Sequence, residues 1–222
     1  MTTVGLLLAA GAGRRMGGPK ALLRLAPDGP TLAETAVRRL REAGCERVVV
    51  VVGSSAEQAA DAVAHLRVDV VTAPDWAEGM GGSLRAGLAH LDSAHPDSAL
   101  PDGSPAEDVE VALVTLVDLP DVTAEVMARV LATARAEGTA ALVRAAYEGV
   151  PGHPVAIGRD HWAAVRATAR GDRGARDHLR ITRHHLVECG DLATGRDVDT
   201  VEDLPDLPDL PAERSTSEPT QQ

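Results

Sequence analysis

The chain has 222 residues, enough for one substantial buried core with at most a small appended lobe. It has no Phe, one Tyr and two Trp, so the core must be aliphatic, and the aromatic platforms of single-stranded nucleic acid binders are missing. A net charge of -11 points the same way, because a nucleic-acid footprint is basic.

In chain order, aliphatic runs alternate with amphipathic stretches, the pattern of an α/β protein with a parallel sheet. Residues 4–8 read as a first strand, apolar on both faces and therefore central. Residues 31–43 read as a helix, with Thr31 and Glu34 in capping-box spacing and Gly44 as its stop. Residues 47–52 form a second buried strand. Ser55 and Gln58 repeat the capping-box spacing and open a helix to about Leu66. Residues 68–72 read as a short strand and 83–91 as a helix. Residues 93–108, rich in Pro, Asp, Ser and Gly, read as a surface loop. Another buried strand covers 109–117, and a helix over 123–136 is closed by Gly138. Strands over 139–146 and 155–157, helices over 160–168 and 175–182, and a strand over 185–189 complete the pattern. From Leu204 on, repeated Asp-Leu-Pro and a polar end lack core-forming residues. One domain over 1–204 and a disordered acidic tail over 205–222 are expected.

Cys45 and Cys189 have no metal-ligand or disulfide spacing and read as reduced thiols. No basic region precedes the apolar stretch 4–10, and no apolar run is long enough to span a bilayer. A soluble, cytoplasmic chain without membrane or nucleic-acid partners is the expectation.

The first strand runs into Ala9-Ala10-Gly11-Ala12-Gly13-Arg14-Arg15-Met16-Gly17-Gly18-Pro19-Lys20. Its four glycines let backbone N–H groups approach a polyphosphate without Cβ clashes, while Arg14, Arg15 and Lys20 supply charge. Lys20 is the only lysine among 22 basic residues. A compact ammonium enters a phosphate cradle where a planar guanidinium does not fit, although a lone lysine can also be a leftover of codon bias. The loop is not a Walker A motif, because Ala21 follows Lys20, and Gly11, Gly13 and Gly17 do not have the dinucleotide G-x-G-x-x-G spacing.

Residues 8–20 closely resemble the signature L-A-A-G-x-G-x-R-M-G-x-x-K of the MobA-like NTP transferases. Three further stretches resemble the molybdenum-cofactor cytidylyltransferase branch. They are Ala73-Pro74-Asp75-Trp76-Ala77-Glu78-Gly79-Met80 with Ser83-Leu84-Arg85-Ala86-Gly87-Leu88, Gly152-His153-Pro154-Val155 with Gly171-Asp172-Arg173-Gly174-Ala175-Arg176, and Asp197-Val198-Asp199-Thr200-Val201-Glu202-Asp203-Leu204. The resemblance covers about residues 4–204. Gly81 and Gly82 replace expected serines, and Leu119 replaces an expected glutamine between Asp118 and Pro120.

The resemblance implies a Rossmann-like, mostly parallel sheet flanked by helices on both faces, of the nucleotide-diphospho-sugar transferase kind. It also implies transfer of a nucleoside monophosphate from a triphosphate, with CTP favoured, to a phosphorylated acceptor such as molybdenum cofactor, releasing pyrophosphate. Leu8, Ala9, Ala10, Gly11, Ala12, Gly13 and Lys20, with Asp75 and Ser83, are the candidate nucleotide-binding residues. Lys20, Arg14 and Asp118 are the catalytic candidates, and Asp118 and Asp199 the candidate ligands of Mg²⁺. Asp118 follows a buried strand and so emerges at the carboxyl edge of the sheet, where α/β folds bind ligands. Its bland alternative is a turn or helix cap, a role that Asp121 fits better. Asp199 competes with Thr200 and Asp203 for a helix cap. His153, Arg173 and Arg176 are the acceptor-side candidates, the two arginines being three apart on one expected helix face. That face could equally be solvated. Transfer to a sugar or polyol phosphate is an alternative reading. So is a non-catalytic carrier that delivers a cofactor to a molybdoenzyme partner.

Overall fold

The computed structural model of the chain describes residues 2–93, 109–200 and 203. The expected loop beyond Ser93 and the expected tail over 205–222 lie outside the described residues.

Among the described residues seven strands form one sheet in the order β3-β2-β1-β4-β6-β5-β7. They are β1 (Thr2–Leu8), β2 (Arg47–Val52), β3 (Asp69–Thr72), β4 (Val109–Leu116), β5 (Leu142–Tyr147), β6 (Val150–Gly158) and β7 (His185–Glu188). All neighbours run parallel except β6, which is antiparallel to both β4 and β5. The mostly parallel α/β sheet expected from the sequence is therefore present. After β1 the chain adds β2 and β3 on one side and then crosses over to β4 on the other, so the sheet has its switch point between β1 and β4. A crevice opens there at the carboxyl edge.

The helices described over the sheet are α1 (Leu32–Glu42), α2 (Ala56–Val63), α3 (Met80–Ser93), α4 (Ala124–Glu137), α5 (Arg159–Thr168) and α6 (Arg176–Ile181). Strand alternation sorts the core into two layers. Leu7, Val48, Val50, Val111, Leu113 and Val143 pack with α1, α2 and α4 on one face. Leu6, Leu8, Val49, Val51, Ala112 and Val114 pack with α3, α5 and Leu179 of α6 on the other. With no Phe available, Val, Leu and Ala fill both layers.

Several boundaries differ from expectation for physical reasons. Ser55 does not cap α2: it lies at φ 55, outside the extended conformation a cap requires, and its side chain makes no capping bond. Helix α3 begins three residues before Ser83, taking in Gly81 and Gly82 despite their low propensity. A Cβ at Gly81 would lie 2.8 Å from the backbone nitrogen of Arg170, and one at Gly82 would collide with the Asp75 carbonyl. Serine is excluded at both positions as this chain is packed. Strand β6 starts at Val150, ahead of the expected 155, and takes in Pro151, Gly152 and Pro154, residue types that seldom sit inside a strand. The β5–β6 turn uses Glu148 and Gly149, both at positive φ, as tight hairpins demand.

The capping box of α1 is complete: Glu34 N donates to Thr31 Oγ1 (3.1 Å), and Thr31 N to Glu34 Oε2 (2.7 Å). Burial works against the Glu34 charge, but the Thr31 hydrogen bonds and nearby Arg24 outweigh it and hold the carboxyl below its ordinary 4.5. A lowered carboxyl contributes stability that is present above its unfolded pKa and lost as pH falls through the folded value. Thr31→Ala is expected to lose about 1 kcal/mol in urea unfolding at pH 7. Glu34→Gln should be less stable than the parent at pH 7, with the difference closing as pH drops below 4.5. A difference that stays constant with pH would rule out the charge as its cause.

Candidate active site

The loop after β1 keeps pairing with its neighbours before it turns. Ala9 N donates to Val51 O (2.8 Å), Ser54 N to Ala10 O (3.0 Å) and Val117 N to Leu8 O (3.2 Å). The glycine segment is thereby delivered to the carboxyl edge at the switch point. Gly13 turns it at φ 56, where a Cβ would collide with the Gly18 carbonyl, and Met16 N and Gly18 N both donate to Gly13 O. The turn ends in a 3-10 turn over Lys20–Leu22, which places Lys20 at the mouth of the crevice.

A cavity of about 370 Å³ opens there. Of the nucleotide, catalytic and metal candidates, Leu8, Ala10, Gly11, Gly13, Arg14, Lys20, Ser83, Asp118 and Asp199 line it together. Ala9 and Ala12 do not line it, and Ala9 is buried in the core. Asp75 faces elsewhere, lining a shallow groove between α3 and α5 and pairing with Arg85 (3.4 Å). Trp76, Met80, Leu116 and Asp172 line the cavity without having been singled out as site residues. Trp76 carried a signal, being one of two tryptophans in a chain without Phe. Gly53 makes room for it, since a Cβ there would lie 2.5 Å from the Trp76 side chain.

At the centre is Lys20 Nζ, which donates to Asp118 Oδ2 at 2.9 Å and to Asp199 Oδ1 at 2.5 Å. Burial disfavours its charge, but hydrogen bonds first to Asp199 and then to Asp118 outweigh that, so its pKa is raised above 10.5. A raised lysine stabilises the fold below its unfolded pKa and loses that effect only as pH rises through the folded value, so the bridge persists across neutral pH. Arg15 approaches the other Asp199 oxygen at 3.8 Å from an exposed position.

Backbone hydrogen bonds also position Asp118 and Asp199. Val198 N donates to Asp118 O (2.9 Å), tying the two segments side by side. Asp203, not Asp199, accepts the turn N–H groups, from Asp199 N (2.9 Å) and Thr200 N (2.7 Å), which leaves the Asp199 carboxylate free for Lys20. Asp121, expected as a turn or helix cap, is instead a buried clamp. Its Oδ2 accepts from Thr194 N (2.7 Å), Thr194 Oγ1 (2.6 Å) and Gly195 N (3.1 Å), while Thr123 caps α4. Leu119, where the resemblance leads to glutamine, is buried in the core and absent from the cavity lining.

Two convergent carboxylates fit a divalent cation that takes its remaining ligands from phosphate oxygens and water, as Mg²⁺ commonly does. Among the described residues no group of three or more His, Cys, Asp or Glu forms a metal site, so the protein alone supplies an incomplete shell. Lys20 stands where that cation would neutralise the pair.

The acceptor-side candidates lie outside the cavity lining. Arg173 is not on the expected helix face: it ends a 3-10 turn before α6 and pairs with Asp177 (3.2 Å). His153 follows the Pro151 and Gly152 carbonyls that accept from Arg144 of β5, and burial, then the charges of Arg144 and Arg176, lower its pKa. Sequence reading missed Arg144 because a lone arginine within a strand has no distinguishing spacing.

The MobA-like NTP transferase domain matches residues 5–188. A nicotine blue oxidoreductase of Paenarthrobacter nicotinovorans is 39% identical over 211 residues, 90% of this chain and 93% of that one. A probable molybdenum cofactor guanylyltransferase of Opitutus terrae is 60% identical over 47 residues, 21% of this chain and 22% of that one. Rv0371c from Mycobacterium tuberculosis H37Rv superposes with a TM-score of 0.70 at 26% identity, covering 93% of this chain and 97% of that one. Its manganese complex gives 0.68 at 26% identity, covering 93% and 98%.

A divalent cation seated on Asp118 and Asp199 would compete with Lys20 for the two carboxylates, so on that reading Lys20→Met is expected to bind Mn²⁺ or Mg²⁺ at least about tenfold more tightly than the parent without nucleotide. The same substitution should weaken triphosphate binding. Calorimetry checks both, and metal affinity unchanged by the substitution would separate Lys20 from the cation seat.

Proposed function

The chain belongs to the MobA-like NTP transferase family, and on that premise we propose that it is a nucleotidyltransferase. It moves a nucleoside monophosphate from a triphosphate to an anionic, phosphorylated small molecule and releases pyrophosphate. The observation that carries this reading is the convergence of the glycine loop, Lys20, Asp118 and Asp199 on one cavity. An oxygen of the acceptor phosphate attacks the α-phosphorus, and the bond from that phosphorus to the bridging oxygen breaks. The electron pair leaves with pyrophosphate. An ionised phosphate needs no general base. The amides of 11–18 and Arg14 cradle the triphosphate, and Lys20, exchanged from the carboxylates onto phosphate, offsets charge on the leaving group. A divalent cation, proposed to be Mg²⁺, supplies further charge neutralisation when held by Asp118 and Asp199. The manganese complex of a structural relative supports a divalent metal.

CTP is the proposed nucleotide and molybdenum cofactor the proposed acceptor, on the motifs of the cytidylyltransferase-like branch. GTP is the competing outcome, supported by the short match to a guanylyltransferase. A second reading is redox chemistry, favoured by the long match to a protein named an oxidoreductase. Against it, a hydride transfer makes no use of a lysine between two carboxylates, and the loop lacks the dinucleotide spacing.

Pyrophosphate release measured with each of four triphosphates and a phosphorylated acceptor tests the main reading, and NAD(P)H oxidation with a heteroaromatic acceptor tests the second. Asp118→Asn is expected to stay folded by circular dichroism, since Asn is nearly isosteric. It should lose about 10²-fold or more in turnover, because a neutral amide ligates a hard cation poorly and the site loses a charge. A folded variant with near-parental turnover would overturn the metal assignment.

A further inference from the structure

Helix α1 is bonded to both of the segments whose side chains meet at the centre of the site. At its start, Leu32 N donates to Leu23 O (2.8 Å), and Leu23 closes the 3-10 turn that begins at Lys20. Two helical turns further on, about 10.5 Å along the axis, stands Arg39. Its Nη1 donates to Pro120 O (2.6 Å) and to Val122 O (3.1 Å). The turn gripped in this way is the one that presents Asp118.

Residue spacing explains why the bonds form here. Leu32, Thr35, Ala36 and Arg39 fall at i, i+3, i+4 and i+7, so they share one face of α1. That face meets Pro120 and Val122 across a cavity of about 10 Å³. Arg39 is the long, cationic member of the four, and its Nη1 carries two hydrogens, one for each carbonyl. A charged donor binds a carbonyl more strongly than a neutral one, and the planar guanidinium loses little freedom in doing so. The Thr115 hydroxyl on the same small cavity is buried and makes no hydrogen bond among the described residues, so it adds no tether.

On its other side the turn is moored to the segment that carries Asp199. Val198 N holds the Asp118 carbonyl, and Asp121 holds Thr194 and Gly195. Those bonds fix the two carboxylate-bearing segments to each other. Arg39 fixes that pair against the lysine, because the helix it stands on is bonded at its start to the turn of Lys20. Pro120, with φ set by its ring, passes the restraint back toward Asp118. Arg39 is absent from the lining of the large cavity and acts through the turn alone.

We propose that Arg39 is a positioning residue: by holding the Pro120 and Val122 carbonyls from α1, it sets where the Asp118 carboxylate stands relative to Lys20. As to the reaction, this rests on the nucleotidyltransferase reading. A displacement of about 1 Å at a reacting group costs up to about 10²-fold in rate, so a brace behind the turn bears on turnover without touching substrate.

Lys20 reports the turn directly, since as the only lysine it gives a single signal in ¹³C-lysine NMR of the full chain. In folded Arg39→Met, without nucleotide or metal, that signal should move toward the position of a solvated lysine. Pyrophosphate release should show kcat lowered at least about tenfold, with KM for the triphosphate within about twofold, because the glycine loop is untouched. Arg39→Lys, which restores a cationic donor, should recover part of both effects, its added signal being assigned by its absence from the parent. Arg39→Gln, too short to span both carbonyls, replaces Arg39→Met if that variant does not fold. A Lys20 signal at the parental position in the folded Met or Gln variant overturns the proposal. So does a displaced signal with parental kcat, a folded Lys variant that recovers nothing, or unfolding of both the Met and Gln variants, which would assign Arg39 to the fold as a whole. If the parent releases no pyrophosphate with any triphosphate while the Lys20 signal still moves in the variants, the nucleotidyltransferase reading fails and the brace on Asp118 stands.

Discussion

Two carboxylates brought to one point repel each other, and a structure that does so must hold a cation between them or keep one of them protonated. At about 4 Å and an effective dielectric of 20, the repulsion is on the order of 4 kcal/mol. Here the cation is Lys20, bonded to Asp118 and Asp199 together. The lysine comes from the loop after the first strand, Asp118 from the end of the fourth, and Asp199 from the segment after the last. One ammonium thus joins three distant parts of the chain. On the proposed reading, a substrate carrying its own metal would exchange that arrangement for another of similar charge, with the cation on the carboxylates and the lysine on phosphate.

The rest of the fold keeps those three parts in register. The parallel ladders on either side of β1 bring Leu8 and Leu116 opposite each other, so the loops beyond them begin side by side. The Asp118 backbone then holds Val198, and Asp121 holds Thr194 and Gly195. One short turn, 118–121, therefore both presents a carboxylate and moors the segment carrying the other. Glycine serves the same end by permitting close approach. Without Cβ atoms at 81 and 82, the start of α3 seats against Asp75 and Arg170 at the edge of the crevice.

Much of this was legible in the residues. Central strands announced themselves as unbroken aliphatic runs, Thr31 and Glu34 marked a true helix start, and the uniqueness of Lys20 pointed to the residue at the centre of the site. What escaped sequence reading depends on tertiary neighbours. Ser55 has the spacing of a cap but the wrong backbone conformation. Pro151 and Pro154 look like strand breakers, yet β6 contains both. Asp121 looks like a surface turn residue, and only the return of 194–195 buries it. Arg144 has no distinguishing spacing, and only the hairpin brings it to the carbonyls beside His153. Local spacing encodes elements well, but not which side chain a distant segment will come to meet.

The contact between Lys20 and Asp199 joins residues 179 apart. During synthesis the glycine loop, the first strands and Asp118 emerge from the ribosome well before Asp199 does. A nascent chain can form most of its sheet and still present an isolated Asp118–Lys20 pair. The constellation closes only when the last segment arrives and docks on the 118–121 turn. Premature termination shortly before residue 194 would therefore yield a chain with the seven described strands but without Asp199, and with the buried Asp121 carboxylate stripped of the partners that hold it.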